Sequence, residues 1–206
     1  KYGIQEDETF LLSVSRISYE KNIQAILNGM PEVVKDCPNV KLLIVGNGPY
    51  KKDLEELAEV LDLGKYVIFT GEIPNEEISP IYQAADVFVS ASSSETQGLT
   101  YTEAMAAKTK VVAKGNDYLN PLFNDLSLGV TFESDEDFSS CLVNYLKEDH
   151  PHNEEFLNKK LFEISSEAFG LSVEKLYSDV IGTYEVSEKE EETEDEAFDS
   201  LRIFRK

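Results

Sequence analysis

Short runs of aliphatic and β-branched residues alternate with amphipathic stretches from Phe10 to Leu146. Phe10 to Val14 predicts a strand, after which Ile23, Ile26, Leu27, Met30, Val33 and Val34 recur at the spacing of one helix face. The alternation repeats as strand Lys41 to Val45, helix Asp53 to Leu61, strand Tyr66 to Phe69 and helix Glu76 to Ala84. It continues as strand Val87 to Val89, helix Thr100 to Ala107, and strands Val111 to Ala113 and Val130 to Phe132. Helices follow at Glu136 to Leu146, Glu154 to Ser165 and Leu171 to Tyr184. Runs such as Leu42-Leu43-Ile44-Val45 and Val87-Phe88-Val89 show no polar alternation, so both faces of these strands expect apolar neighbours. The expected fold is a doubly wound, Rossmann-like α/β domain: a parallel sheet of about six strands with helices on both faces.

Composition adds a boundary and an exclusion. Between Glu185 and Glu196 stand eight acids and one lysine, a stretch too charged to bury, so the chain reads as a domain over residues 1–184 and an acidic tail over 185–206. The final Phe198 to Lys206 is read as a frayed terminus rather than a partner- or membrane-touching segment. Nineteen basic residues against 40 acidic ones leave a net charge of −21, which repels a nucleic-acid backbone over most of the surface. Any phosphate must be held by a few local donors. No apolar run reaches the ~18 residues of a spanning helix, and no basic-then-apolar leader opens the chain. The chain opens on Lys1, not Met, and is expected to be a piece of a longer protein. Two cysteines, Cys37 and Cys141, lie far apart without metal or redox spacing, which fits a reducing cytoplasm.

In an open parallel sheet the ligand lies beyond the carboxyl ends of the strands, so chemistry is sought in the loops that follow them. After the first strand come Arg16 and Lys21, two cations at a helix entrance; they suit a diphosphate, the alternative being pairing with surface acids. Gly46-Asn47-Gly48-Pro49 follows the second strand. It lacks the third glycine of a dinucleotide fingerprint and the acid that belongs about twenty residues on, so hydride transfer is disfavoured, and no P-loop is present. These glycines close a tight turn or admit a flat base. Gly71-Glu72-Ile73-Pro74-Asn75 is a strand-to-helix turn whose backbone is available to a base edge. After the fourth strand, a polar loop runs from Ser92 through Glu95, Thr96 and Gln97 to Gly98, Leu99 and Thr100 at a helix N-terminus, where free amides attract an anion. Glu95 and Glu103, seven residues between them, are placed to accept hydroxyls on either side of a diphosphate; otherwise they are a loop acid and a solvated helix glutamate. Lys114-Gly115-Asn116-Asp117-Tyr118 rims the same end. His150 and His152 have no third ligand nearby, and Asp86 reads as a helix-to-strand turn residue.

Arg16 with Glu20-Lys21, Leu-Leu-Ile-Val-Gly46-Asn47-Gly48-Pro49, Phe69-Thr-Gly71, Ala-Asp86-Val-Phe-Val and Glu95-x7-Glu103-Ala-Met-Ala together resemble the retaining GT-B glycosyltransferases of family four, over residues 10–113. The match is to their carboxyl-terminal, donor-binding half, and implies a missing amino-terminal acceptor domain. The resemblance implies that Arg16 and Lys21 hold the donor diphosphate, Glu95 meets sugar hydroxyls, and Gln97, Gly98, Leu99 and Thr100 line the phosphate and sugar. It also implies that Glu103 takes the ribose hydroxyls and that Asn47, Gly48 and Ile73 flank the base. The catalytic residues implied are Arg16, Lys21 and Glu95: the two cations, with the helix amides, would stabilise the departing diphosphate while Glu95 holds the sugar hydroxyls, with no metal or other cofactor required. Glu95-Thr96-Gln97-Gly98, in place of the usual Glu-Gly-Phe-Gly, resembles bacterial enzymes that add glucose to diacylglycerol. That implies a UDP-glucose donor, a lipid acceptor reached through the missing half, and a cytoplasmic enzyme peripheral to the inner membrane face. The usual Gly-x-Pro before the fifth strand is Lys108-Thr109-Lys110 here. A non-catalytic nucleotide-sugar or protein-interaction module of the same fold is the alternative; a phosphoacceptor domain is set aside, because the first strand ends Ser13-Val14-Ser15 without an acidic pair.

Overall fold

A computed structural model describes residues 2–93 and 98–182. Two compact units emerge, one reaching Asn158 and the other starting at Lys159. The first contains strands β1 (Thr9–Val14), β2 (Val40–Val45), β3 (Val67–Gly71), β4 (Val87–Ser90), β5 (Lys110–Lys114) and β6 (Gly129–Phe132). Its helices are α1 (Ile23–Asp36), α2 (Lys51–Val60), α3 (Asn75–Ala84), α4 (Leu99–Ala106), α5 (Leu119–Leu122) and α6 (Phe138–Lys147), and α7 (Glu154–Glu163) follows. The strands form one parallel sheet in the order β3-β2-β1-β4-β5-β6, so the winding reverses between β1 and β4. The doubly wound sheet expected from the sequence is present.

Period-two alternation sends successive side chains to opposite faces, and each face has its own cover. Leu11, Leu42, Ile44, Val87, Val89 and Val112 join a buried cluster with residues of α1, α2 and α6. Helix α1 packs on both α2 and α6, and α3 packs on α4. On the α3 and α4 side, ring contacts run from Tyr82 to Phe88 (5.8 Å), Tyr101 (5.6 Å) and Phe123 (6.3 Å). Leu12, Leu43 and Val111 are fully buried, as expected of strands covered on both sides.

Among the differences from the sequence reading are two helix boundaries and one added helix. Helix α2 starts at Lys51 rather than Asp53, because the Lys51 amide already donates to the Gly48 carbonyl at 3.2 Å and Lys51 and Lys52 pair with Glu55 and Glu56 one turn on. Helix α5 was not expected; Asn116 Oδ1 accepts the amides of Tyr118 and Leu119 at 2.9 and 2.8 Å and turns the chain into it. In the second unit the last helix runs over 166–182, so it begins before Leu171. Its Leu176, Tyr177, Val180 and Ile181 keep the helical spacing and are exposed. The proposed tail, 185–206, lies outside the described residues.

The loop after β1 and the turn after β2 are joined through their backbones. The Ser15 amide donates to Val45, the Ile17 amide to Asn47 and the Tyr50 amide to Ile17, at 3.1, 2.9 and 3.2 Å. A bulge between Ile44 and Val45 shifts the register of β2 on β3, and the Gly46 amide reaches the Gly71 carbonyl at 2.9 Å. A Cβ at Gly46 would overlap the Ser15 carbonyl oxygen, and one at Gly48 the Ile17 carbonyl. Gly46 also has φ +135°, a conformation L side chains rarely adopt. Gly48→Ala is therefore expected to cost about 1 to 3 kcal/mol by forcing two backbones apart, which lowers the thermal midpoint by several degrees. An unchanged midpoint would show that the loops separate freely.

Candidate functional site

A cleft of about 630 Å³ opens at the carboxyl ends of β1, β2 and β3. It is lined by Ser15 and Arg16, by the turn Gly46-Asn47-Gly48-Pro49, by Glu72, Ile73, Asn75 and Ile78, and by Glu103 from α4. Of the residues singled out in the sequence, Arg16, Asn47, Gly48, Ile73 and Glu103 therefore meet around one space. Glu95 and Gln97 lie outside the described residues. Lys21 and the Gly98-Leu99-Thr100 helix start do not line this cleft.

Arg16 is exposed, yet its backbone is fixed from both sides by the amides of Ser15 and Ile17. It makes no ion pair among the described residues, whereas Lys51, Lys52, Lys108, Lys114 and Lys147 each pair with an acid. Lys21 ends a 3-10 turn over Tyr19–Lys21. Between the two cations, Glu20 has its pKa lowered by the Ser18 hydroxyl, which donates at 2.6 Å, by its own backbone amide, and by the fields of Arg16 and Lys21. Both positive charges therefore act on Glu20.

The far end of that loop is clamped by a residue distant in sequence. Asn22 adopts a left-handed conformation (φ 53°) between the 3-10 turn and α1, and its side-chain Nδ2 donates to Asp135 Oδ2 at 2.9 Å. Lys114, at the end of β5, meets the other oxygen of Asp135 at 2.7 Å. Burial, the largest influence, pushes the Asp135 pKa up. The hydrogen bonds from Lys114 and Asn22 and the Lys114 charge together outweigh it and hold the carboxyl below its ordinary value.

Helix α4 supplies the opposite wall. Gly98 (φ 61°) is its N-cap and is buried, and Leu99, its first residue, is 63% exposed. One turn in, exposed Glu103 accepts a hydrogen bond from the Tyr82 hydroxyl at 3.0 Å. Ser15, Ile78 and Tyr82 were not singled out from the sequence as site residues. Ile78 and Tyr82 fall at the i, i+4 spacing of a core-facing helix stripe, and the available signal was that a buried tyrosine hydroxyl needs a polar partner. Asp86 accepts the Phe10 amide at 2.7 Å, a structural duty. His150 is stacked on Tyr145 at 4.2 Å, and no cluster of three or more His, Cys, Asp or Glu arranged for a metal occurs among the described residues. Among them there is also no helix long and apolar enough to cross a membrane.

A family model described as "Glycosyl transferases group 1" matches residues 1–160. The chain is 48% identical over 181 residues to an alpha-monoglucosyldiacylglycerol synthase of Streptococcus pneumoniae, covering 88% of this chain and 41% of that protein. It is 35% identical over 188 residues to a synthase of the same name from Acholeplasma laidlawii, covering 88% and 46%. The chain thus spans less than half the length of these curated relatives. Among solved structures, a sucrose-phosphate synthase from Thermosynechococcus elongatus superposes with a TM-score of 0.71 at 25% identity, covering 86% of this chain and 46% of that one. The pneumococcal O-GlcNAc transferase solved with UDP and GlcNAc superposes at 0.68 and 19% identity, covering 85% and 37%, a likeness of fold.

The Asp135 clamp has a pH signature. A carboxyl whose folded pKa is depressed contributes stability above its unfolded value, and that stability is lost as pH falls from about 4 through the lower folded value. The thermal midpoint is expected to fall more steeply between about pH 5 and pH 3 in the native chain than in Asp135→Asn. Parallel curves would remove the clamp from the account.

Proposed function

Because the chain belongs to the group 1 glycosyl transferases, we propose that it is the donor-binding half of a retaining hexosyltransferase using UDP-glucose, with diacylglycerol as the acceptor in glycolipid synthesis. The observation that carries the proposal is the cleft: Arg16, the Gly46 to Pro49 turn, Ile73 and Glu103, drawn from four separate elements, line one space at the carboxyl edge of the sheet. An acidic chain has no general affinity for phosphate, so an arginine without an ion pair among the described residues, standing at that edge, suits an anionic ligand. The names of the two synthases support glucose and diacylglycerol as the transferred sugar and its acceptor.

In this reading Arg16 and Lys21 hold the diphosphate, the first as a fork onto two oxygens and the second as a point charge. The amides at Gly98, Leu99 and Thr100 and the dipole of α4 add to them, with Glu95 and Gln97 on the sugar side. The bond between the anomeric carbon and the diphosphate breaks with negative charge gathering on the leaving oxygens. Cations and amides already aimed there stabilise that charge more in the transition state than in the ground state. The chemistry assigned to these residues requires no metal. Asn47, Gly48 and Ile73 flank the base and Glu103 accepts the ribose hydroxyls. The acceptor half, beyond this chain, would bring the lipid and contact the membrane at its cytoplasmic face.

The test is thermal unfolding of the chain with UDP, GDP, ADP or NAD at matched concentration. A ligand at a hundred times its Kd adds about 2.7 kcal/mol, several degrees for a domain of this size. UDP is expected to raise the midpoint most, and Arg16→Ala and Lys21→Ala are each expected to remove most of the shift without lowering the unliganded midpoint. Equal shifts from all four ligands would overturn the uridine assignment, and full shifts in both variants would overturn the diphosphate assignment.

A further inference from the structure

Glu103 is a lone exposed acid on a helix, and an exposed glutamate samples several rotamers, so any ligand it binds must first order it. Here one of its oxygens is already engaged. The Tyr82 hydroxyl donates to Oε2 at 3.0 Å, leaving Oε1 and the second lone pair of Oε2 for a ligand. Tyr82 itself is 1% exposed and held at both ends of its residue: its ring lies 5.8 Å from Phe88, and its carbonyl accepts bonds from the Thr109 hydroxyl and the Ala85 amide. Burial, then the charge and hydrogen bond of Glu103, push the phenol pKa well above its ordinary value, so the hydroxyl remains a donor at any working pH.

The surroundings give this contact a direction. Glu103 forms part of two adjoining spaces, the cleft that also holds Arg16 and a recess of about 250 Å³ between α3 and α4, and Asn75 and Ile78 line both. Tyr82 lines only the recess, where Ser79, Gln83, Ala106 and Ala107 complete the wall. The phenol therefore reaches the carboxylate from the recess side, and the ligand would reach it from the cleft side.

We infer that Tyr82 is the positioning residue of the donor site: it fixes the Glu103 carboxylate in the orientation that accepts the vicinal ribose hydroxyls, and so sets the preference for a ribonucleotide over its deoxy form. The inference rests on the proposed reading of the cleft as a nucleotide-sugar site with Glu103 on the ribose. Tyr82 touches no substrate and acts through Glu103 alone.

The experiment compares UDP with 2′,3′-dideoxy-UDP, which lacks both hydroxyls, by titration calorimetry on the full chain, Tyr82→Phe, Glu103→Gln and the double variant. The native chain is expected to prefer UDP by at least about ten-fold, in line with hydrogen bonds to a charged group. Tyr82→Phe keeps the ring and its packing; it is expected to cut that preference by about five-fold while leaving dideoxy-UDP affinity unchanged. A purely structural role would weaken both ligands alike and would overturn the proposal, as would a full preference retained in Tyr82→Phe. In the Glu103→Gln background the tyrosine change is expected to have no further effect on the ratio; an undiminished effect there would mean that Tyr82 acts by another route and would also overturn it. A full preference retained in Glu103→Gln would instead remove Glu103 from the ribose, so that failure of the underlying reading is told apart from failure of the tyrosine's role.

Discussion

Backbone-to-backbone hydrogen bonds between the loop after β1 and the turn after β2 hold the candidate site in shape. Ser15 and Ile17 reach across to Val45 and Asn47, Tyr50 reaches back to Ile17, and Gly46 extends the chain of contacts to Gly71 on β3. Three strand ends are thereby tied into one rim. Arg16 lies between two bonded residues, so its Cα has little freedom although its side chain is exposed. The absent side chains at Gly46 and Gly48 are used by the protein itself, since carbonyl oxygens of Ser15 and Ile17 occupy the space a Cβ would take. A Gly-x-Gly after a strand thus has a sufficient reason without any ligand, and its link to a ligand is that it brings Arg16 beside Asn47 and Ile73.

Charge works by exception in this molecule. With a net charge of −21, most lysines on the described surface are neutralised by the nearest acid, as Lys52 is by Glu56 and Lys108 by Glu154. Such exposed pairs contribute little to stability. Their effect is to confine positive potential to a few places. Arg16, without an ion pair among the described residues, is one of them, and it stands at the point where the winding order of the sheet reverses. An anion approaching the acidic surface meets repulsion over most of it and less at such places, which turns a general deficit of positive charge into a source of selectivity.

The sequence disclosed what depends on local pattern. Leu42 to Val45 and Val87 to Val89 announced strands buried on both faces, and the rule that ligands lie beyond strand ends led to Arg16, Asn47, Gly48, Ile73 and Glu103, which share one cleft. Hidden from it was whatever depends on residues far apart in the chain. Asn22 is clamped by Asp135, 113 positions on, and nothing near either residue signals the other. Tyr82 looked like one more apolar position on α3, because helical spacing identifies a buried face and is silent on where a hydroxyl at its edge will point. The onset of α5 turned on a single side chain, Asn116, whose carboxamide organises two amides that a composition-based reading treats as loop.

Along α4 the electrostatic sign changes over one turn and a half. At the N-terminus of α4 the helix dipole favours an anion, whereas at Glu103, five residues and about 7 Å further along the axis, a carboxylate favours hydrogen-bond donors and repels anions. A free phosphate is matched only by the first end, and a nucleoside only by the second. On the proposed reading, a molecule that carries a diphosphate joined to a polyhydroxylated ring would match both ends in one orientation, since reversing it would bring phosphate against Glu103. On the proposed reading this polarity points the base toward the Gly46 to Pro49 turn and the sugar away from it, so the direction of binding is set before any contact with the sugar itself. The phenol behind Glu103 sharpens the same distinction by holding the acidic end of the gradient in place.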